Sequence, residues 1–182
     1  ANDQERIAAC AAQLASDHDS EIVREVFRFM HLFRGFPAMV RALDAAKDCL
    51  QQAPENESLK TPEEVAVNHQ NGLDFFEQLY GEDAAHVLPY LHELDPQLSA
   101  WVLDYAYGRV MCRELLPLEE RERLAVLLLA AGECWSQWES HVRICLRLHV
   151  PISTLRADAL DHGWPHNCST LATTKLGTID ES

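Results

Sequence analysis

The chain has 182 residues, of which 47% are hydrophobic, and it carries a formal net charge of -14 at pH 7. This length suits one ordinary hydrophobic core and predicts a single domain, while the negative charge argues against nucleic acid and anionic membranes as partners, because both bind clustered Lys and Arg. No apolar stretch reaches the roughly 18 residues of a membrane span, and no basic region followed by an apolar run opens the chain, so we expect a cytoplasmic protein without a membrane partner.

Residue usage favours helices over strands. The chain contains only 7 Gly and 8 Pro, and Ala, Leu, Glu, Arg and Gln dominate long stretches. Those five residues have high helix propensity, whereas short strands joined by tight turns need more Gly and Pro. We therefore predict an all-α fold.

The N-terminal part of the chain predicts three helical segments. Apolar residues recur at helical spacing over residues 4–14 and again over residues 20–33, which indicates a helical hairpin. The Gly35-Phe-Pro sequence interrupts this pattern before a further helix over about residues 38–50. The polar stretch 51–60 that follows is the predicted internal linker.

Two further helix starts follow this linker. Thr61 before Pro62 combines a capping hydroxyl with a first-turn proline, and the helix that it opens should end at Gly81. Asp95 before Pro96 predicts the start of another helix. That helix carries apolar residues on overlapping stripes, so we expect it to be largely buried. The stripe residues are Leu98, Trp101, Val102, Tyr105 and Val110.

The most apolar helix of the chain follows Pro117. It is hydrophobic on every side over residues 124–131, which predicts a central position. Gly132 supplies a turn before the next helix, over residues 133–149. The two helices therefore form a central hairpin over about residues 119–149.

The end of the chain is polar. After a short helix from Ser153 to Leu160, residues 161–182 show no helical periodicity and are predicted to form a polar tail. The tail holds residue types that can bind metals, but their spacing matches no closed zinc pattern, so we predict no metal site. Those residues are Asp161, His162, His166 and Cys168.

The six cysteines are spread along the chain, and no two have the C-x-x-C spacing of zinc knuckles or dithiol redox centres. Because free Cys is among the most buried residue types, most of them are predicted to be reduced packing residues. They are Cys10, Cys49, Cys112, Cys134, Cys145 and Cys168.

Counting outward from the hairpin turn predicts a pair of titratable residues. If Gly132 centres a tight antiparallel hairpin, residues equidistant from it face each other, which sets Glu122 opposite approximately His141 and Val142. A carboxylate–imidazole pair is therefore predicted. On the second helix, Cys134 and His141 share one stripe with Cys145. Along the helix axis, however, Cys134 and His141 should lie about 10 Å apart.

Two sequences in this hairpin resemble the signature of a known family. They are the run Leu116-Pro-Leu-Glu-Glu-Arg-Glu-Arg-Leu-Ala and the run Glu133-Cys-Trp-Ser-Gln-Trp-Glu-Ser-His141. Their spacing is similar to that of the helical hairpin in the carboxymuconolactone decarboxylase family, which includes alkyl hydroperoxidase D (AhpD). The resemblance implies an AhpD-like helical bundle that assembles with itself as a trimer or hexamer.

The resemblance also implies the site residues. AhpD-like members place a glutamate, a C-x-x-C pair and a histidine in this hairpin, and Glu122, Cys134 and His141 match that pattern as catalytic residues. Gln137 stands where the second cysteine is expected. An amide at that position can neither titrate nor attack a peroxide. The resemblance implies a small-molecule substrate and no bound cofactor.

Segments upstream of the hairpin extend the resemblance to about residues 70–160. They are Phe75-Phe-Glu-Gln-Leu-Tyr-Gly-Glu, Leu94-Asp-Pro and Tyr107-Gly-Arg-Val. These three segments look like the decarboxylase branch of the family.

The start of the chain resembles what usually follows the family hairpin. Ser20-Glu-Ile-Val-Arg-Glu-Val and Gly35-Phe-Pro carry this similarity, yet here they precede the hairpin, as in a circularly permuted or partly duplicated member. The predicted organisation is one domain over residues 1–160. Within it, residues 1–50 are similar to the family's C-terminal helices and residues 61–160 to its core.

Three functions follow from these residues. The first is a peroxiredoxin-type enzyme in which Cys134 reacts with peroxide while Glu122 and His141 relay protons. The second is a decarboxylase in which His141 delivers a proton to the carbon that loses carbon dioxide, with arginines between Arg109 and Arg156 orienting carboxylates. The third is a non-catalytic oligomeric scaffold that kept the fold without the chemistry.

Overall fold

A computed structural model of the chain describes residues 3–51, 62–161 and 166–180. Helices make up nearly all of these segments and no strand occurs in them, which confirms the predicted all-α fold. None of the described helices is both long enough and apolar enough to cross a membrane. The chain divides between Leu116 and Pro117 into two compact units. The single domain over residues 1–160 stays a prediction, and most of the predicted linker lies outside the described residues.

The described residues of the first unit form five α-helices, a 3-10 turn and a π-helix. They are α1 (Asp3–Asp17), α2 (Ser20–Ala46), α3 (Pro62–Tyr80), the turn Gly81–Asp83, α4 (Ala84–Leu94), α5 (Pro96–Trp101) and the π-helix Val102–Met111. The predicted hairpin of α1 and α2 is confirmed: Ala11 of α1 is buried with Val23, Phe27, Ala42 and Ala46 of α2.

Helix α2 changes direction where the sequence predicts a break. Asp19 caps its start by accepting a hydrogen bond from the backbone N–H of Glu21. Gly35 has φ 76° and ψ 164°, which is not helical, and the helix continues directly after it. Residues that carry a Cβ atom rarely adopt a positive φ of this kind, so glycine suits this kink. The second part of α2 ends at Ala46, a few residues before the predicted end.

The helix predicted to start at Asp95 begins there, but its first turns are more exposed than predicted. The Asp95 carboxylate caps α5 by accepting from the backbone N–H groups of Gln97 and Leu98. Trp101 is 62% exposed, so the expectation of a largely buried helix is wrong at its start. From Val102 onward the backbone winds as a π-helix. Because a π turn takes more residues than an α turn, one α-helical stripe cannot continue across the change.

The π-helix lies directly against α3, backbone to backbone. A Cβ atom added to Gly72 would overlap the carbonyl oxygen of Leu103, and one added to Gly108 would overlap that of Asn68. No side chain fits at either glycine. Beside this contact, the ring of Phe76 stacks on Tyr80 with centroids 4.1 Å apart.

The second unit contains the predicted hairpin and two further helices. They are α6 (Leu118–Ala131), α7 (Trp135–Arg147), α8 (Ile152–Asp161) and α9 (His166–Asp180). Helix α6 buries Ala125, Val126 and Leu129, and α7 buries Trp138, Val142, Ile144 and Cys145. Arg123 of α6 donates two hydrogen bonds, of 2.8 and 2.7 Å, to the Asp158 carboxylate of α8.

The prediction of a polar tail without helical periodicity is wrong for residues 166–180, which form α9. This helix lies against α8 and α6. Its anchors are Ala172 and Leu176, which are 1% and 0% exposed and stand one helical turn apart. Few apolar residues among several Thr produce little hydrophobic periodicity, which is why the pattern did not reveal the helix.

The close contact of α3 with the π-helix predicts the cost of one methyl group. Gly108→Ala should lower the free energy of unfolding by about 1–3 kcal/mol, because backbone atoms must move to admit the Cβ. Gly177→Ala on α9 is the matched control, since nothing lies within 4 Å of its Cβ position. It should be neutral or raise stability by up to about 1 kcal/mol. Urea unfolding of both variants checks this, and equal midpoints would contradict the contact.

Candidate functional site

The α6–α7 hairpin brings Glu122 and His141 together, as counting from the turn predicts. The Nδ1 atom of His141 lies 2.7 Å from Oε2 of Glu122, within hydrogen-bonding distance. Glu122 is fully buried and His141 is 7% exposed. The predicted contact is confirmed, whereas the catalytic role of the two residues stays a prediction.

The turn between α6 and α7 is made differently from the sequence expectation. Gly132 has an ordinary φ of -94°, and the next residue, Glu133, has the left-handed φ of 57°. Backbone N–H groups of Gly132 and Cys134 both donate to the carbonyl oxygen of Leu129 and close the end of α6. The turn therefore occupies residues 132–134 and sets the register that pairs the two helices.

Apolar residues are buried in the same hairpin as the pair, and one oxygen of Glu122 is an open acceptor. Val142 and Cys145 on α7 and Ala125 on α6 are fully buried. Oε1 of Glu122 is buried and has no hydrogen-bond partner among the described residues. A buried carboxylate oxygen without a donor is costly. Oε1 of Glu122 can therefore accept a hydrogen bond from one more donor, such as water or a substrate hydroxyl.

Cys145 is a packing residue beside this pair. Its side chain is fully buried. Burial raises the pKa of the Cys145 thiol well above its ordinary value, and the nearby charge of Glu122 raises it further. The thiol thus stays protonated at neutral pH and is a poor nucleophile.

Cys134 does not lie with the buried pair. It is exposed, precedes the first residue of α7, and has non-helical backbone angles of φ -85° and ψ 66°. Within the described chain its thiol hydrogen-bonds to the carbonyl oxygen of Gly132, at 3.5 Å, and to neither Glu122 nor His141. The predicted stripe is therefore confirmed for His141 and Cys145, which are buried, and wrong for Cys134. The sequence placed Cys134 inside the helix, and the turn excludes it.

Gln137, which replaces the second cysteine of the family pattern, is exposed on the first turn of α7. Cys134 and Gln137 therefore both face solvent near the start of the helix. A thiol at position 137 would be accessible to a partner thiol at position 134. The native amide offers no such chemistry.

Sequence reasoning missed the buried arginine next to Glu122. Arg121 is 0% exposed, although charged side chains are rarely buried. No signal in the sequence separates it from the other arginines of this region. Two of those arginines are paired within the chain, Arg113 with Glu25 and Arg123 with Asp158. These pairs give the two arginines structural roles within the chain.

The described side chains contain no group of three residues that could hold a metal ion. The predicted absence of a metal site in the tail concerns Asp161, His162, His166 and Cys168, and these side chains lie outside the described residues.

The buried pair predicts a characteristic set of stabilities. His141→Leu should cost about 3–5 kcal/mol, because it leaves the Glu122 carboxylate buried without its partner. The double variant Glu122→Leu with His141→Leu should recover much of this loss, since no charge is then buried alone. Glu139→Gln breaks an exposed pair with Arg143 on the same helix and should change stability by less than about 1 kcal/mol. Chemical unfolding measures all of these values, and additive losses in the double variant would contradict the pairing.

Comparison with known proteins identifies no relative. The chain matches no family model, and no curated protein or solved structure matches it. The family resemblance accordingly rests on the hairpin residues themselves.

Proposed function

We propose that this chain is an AhpD-like member of the carboxymuconolactone decarboxylase family with peroxiredoxin-type thiol activity, using Glu122, Cys134 and His141. The observation that carries the proposal is the buried hydrogen bond between His141 and Glu122. It joins the glutamate and histidine of the resembled pattern across the hairpin. We also propose that the protein is cytoplasmic and, on the same resemblance, that it assembles with itself as a trimer or hexamer.

The Glu122–His141 pair is suited to proton transfer. With Glu122 ionised, its carboxylate accepts the Nδ1–H of His141 and fixes the imidazole tautomer and orientation. Proton exchange with the reaction then falls to Nε2. Because both side chains are held by packing in the hairpin, the pair needs little reorganisation to act as a general acid or base.

Cys134 is proposed as the thiol that reacts with peroxide. Its thiolate attacks one oxygen of the O–O bond, the bond breaks, and the second oxygen leaves as an alkoxide that takes a proton to become an alcohol. The cysteine is oxidised to a sulfenic acid. An external dithiol then reduces the sulfenic acid in two steps, forming its own disulfide and releasing water. The exposure of Cys134 supports this role, since both reactants can reach it.

The separation of Cys134 from His141 limits the rate in this proposal. Cys134 precedes α7, and from the first residue of that helix, Trp135, to His141 the distance along the axis is already about 9 Å. Protons must therefore travel through water between the two groups. We therefore expect weak peroxidase activity. A thiol at position 137, one turn from His141, would shorten that distance.

The same separation favours a second candidate function, decarboxylation. A decarboxylase needs no thiol pair, and Gln137 stands where the second thiol would be. His141 would deliver a proton to the carbon that loses carbon dioxide, with Glu122 as its orienting partner. A non-catalytic scaffold is the third candidate, and it predicts that neither reaction occurs.

Peroxide turnover with a dithiol reductant tests the thiol chemistry. Cys134→Ser should abolish turnover, and His141→Gln should lower it by about 100-fold if proton transfer limits the rate. Gln137→Cys should raise turnover, because it restores a C-x-x-C pair that can form a disulfide. Cys10→Ser is the matched control, since it removes another exposed thiol and should leave the rate unchanged.

The effects of these variants on each reaction distinguish the three candidate functions. Rapid wild-type turnover that survives Cys134→Ser would refute the proposed nucleophile. Decarboxylation of a carboxylactone that requires His141 and not Cys134 would establish the second candidate instead. Absence of both reactions, with a folded protein, would support the scaffold.

A further inference from the structure

We propose that the second unit contains a separate binding site for a small monoanion with an apolar body, of the class of aliphatic carboxylates. The site is a half-open cavity of about 460 Å³ between α7 and α9. Its size lies within the range of about 300–1,000 Å³ that is typical of small-molecule sites. The lining residues are Trp138, Glu139, Arg143, Leu146, Lys175, Thr178 and Ile179.

The walls of the cavity combine an apolar surface with a cationic one. Trp138, Leu146 and Ile179 supply the apolar surface, which suits a hydrocarbon chain or ring. Arg143 and Lys175 supply two positive charges. Binding pockets of this kind use a few charged groups to orient a largely apolar ligand.

The charges of the lining residues favour a single negative charge on the ligand. Arg143 lies 2.8 Å from the Glu139 carboxylate, and both side chains are about half exposed. The charges of that pair cancel, so among the described lining residues Lys175 leaves one net positive charge. The Lys175 ammonium lies 5.9 Å from the ring centroid of Trp135, a cation–π distance that holds it over α7.

Trp138 contributes a buried donor that needs an acceptor. Its side chain is 1% exposed, and its indole Nε1–H has no hydrogen-bond partner among the described residues. Buried Trp N–H groups ordinarily find a partner, because an unpaired one loses its hydration without compensation. A carboxylate bound in the cavity offers oxygen acceptors to Lys175 and lies beside the ring of Trp138, which lines the same cavity.

This site is distinct from the Glu122–His141 pair. At 3.6 residues per turn, Glu139, Arg143 and Leu146 fall on one stripe of α7, while His141 and Cys145 fall on another. Trp138, one turn before His141, lies between the two stripes and lines the edge of the cavity nearest the pair. The proposal therefore does not rest on the thiol or decarboxylase chemistry. It holds whether or not those reactions occur.

Titration with sodium octanoate, followed through the indole N–H resonances in a nitrogen-15 spectrum, tests the site. Trp138→Phe identifies the resonance of Trp138. Octanoate should shift that resonance saturably, and octan-1-ol, which has the same chain without the charge, should bind more weakly by about tenfold or more. Acetate, which has the charge without the chain, should produce no saturable shift.

Charge variants identify the residue that holds the anion. Lys175→Met should weaken octanoate binding by about tenfold, and Lys175→Arg should restore it. Lys47→Met is the matched control, because Lys47 is an exposed lysine paired with Asp44 in the other unit, and it should leave the affinity unchanged. Circular dichroism checks that each variant is folded. No saturable shift of the Trp138 resonance, equal binding of octan-1-ol, or unchanged affinity in Lys175→Met would each overturn the proposal.

Discussion

A carboxylate and an imidazole, buried together between α6 and α7, constrain the second unit more than any other contact. Glu122 is fully buried, and its Oε2 atom lies 2.7 Å from His141 Nδ1. Neither group could be buried alone without a large desolvation cost. The register of the hairpin must keep them paired, and the turn with its left-handed residue Glu133 provides that register. The proposed chemistry uses the same contact.

The first unit obeys a different constraint. There α3 and the π-helix approach so closely that Gly72 and Gly108 leave no space for a side chain. Glu25 of this unit is also fully buried, at 0% exposed, and accepts a 2.8 Å hydrogen bond from Nε of Arg113. Close backbone packing therefore constrains the first unit, whereas a buried polar pair constrains the second.

The features that could be predicted from the sequence are those that depend on local periodicity and chain geometry. The hairpin of α6 and α7 and the facing of Glu122 and His141 follow from strong apolar patterns and a short turn, which leave few alternative registers. The kink at Gly35 and the cap at Asp95 follow from residue-specific backbone preferences. These features can be read from a few neighbouring residues.

Other features depend on tertiary contacts that no local pattern encodes. The π-helix changes the periodicity after Trp101, and among the described side chains of α9 the buried ones are Ala172 and Leu176. Cys134 leaves the predicted stripe because the turn extends to it. Arg121 is buried, although its neighbours in sequence give no sign of this. The permuted packing of residues 1–50 against the hairpin stays a prediction.

The tautomer of His141 tests the central claim, that Glu122 and His141 form a buried acid–base pair, most directly. A nitrogen-15 spectrum of the imidazole at neutral pH distinguishes a proton on Nδ1 from one on Nε2. The structure predicts that Nδ1 carries a hydrogen-bonded proton, and that Glu122→Gln weakens this preference, since a carboxylate is the stronger acceptor. A proton on Nε2 with Nδ1 unprotonated, unchanged by Glu122→Gln, would contradict the pair and remove the basis of the proposed function.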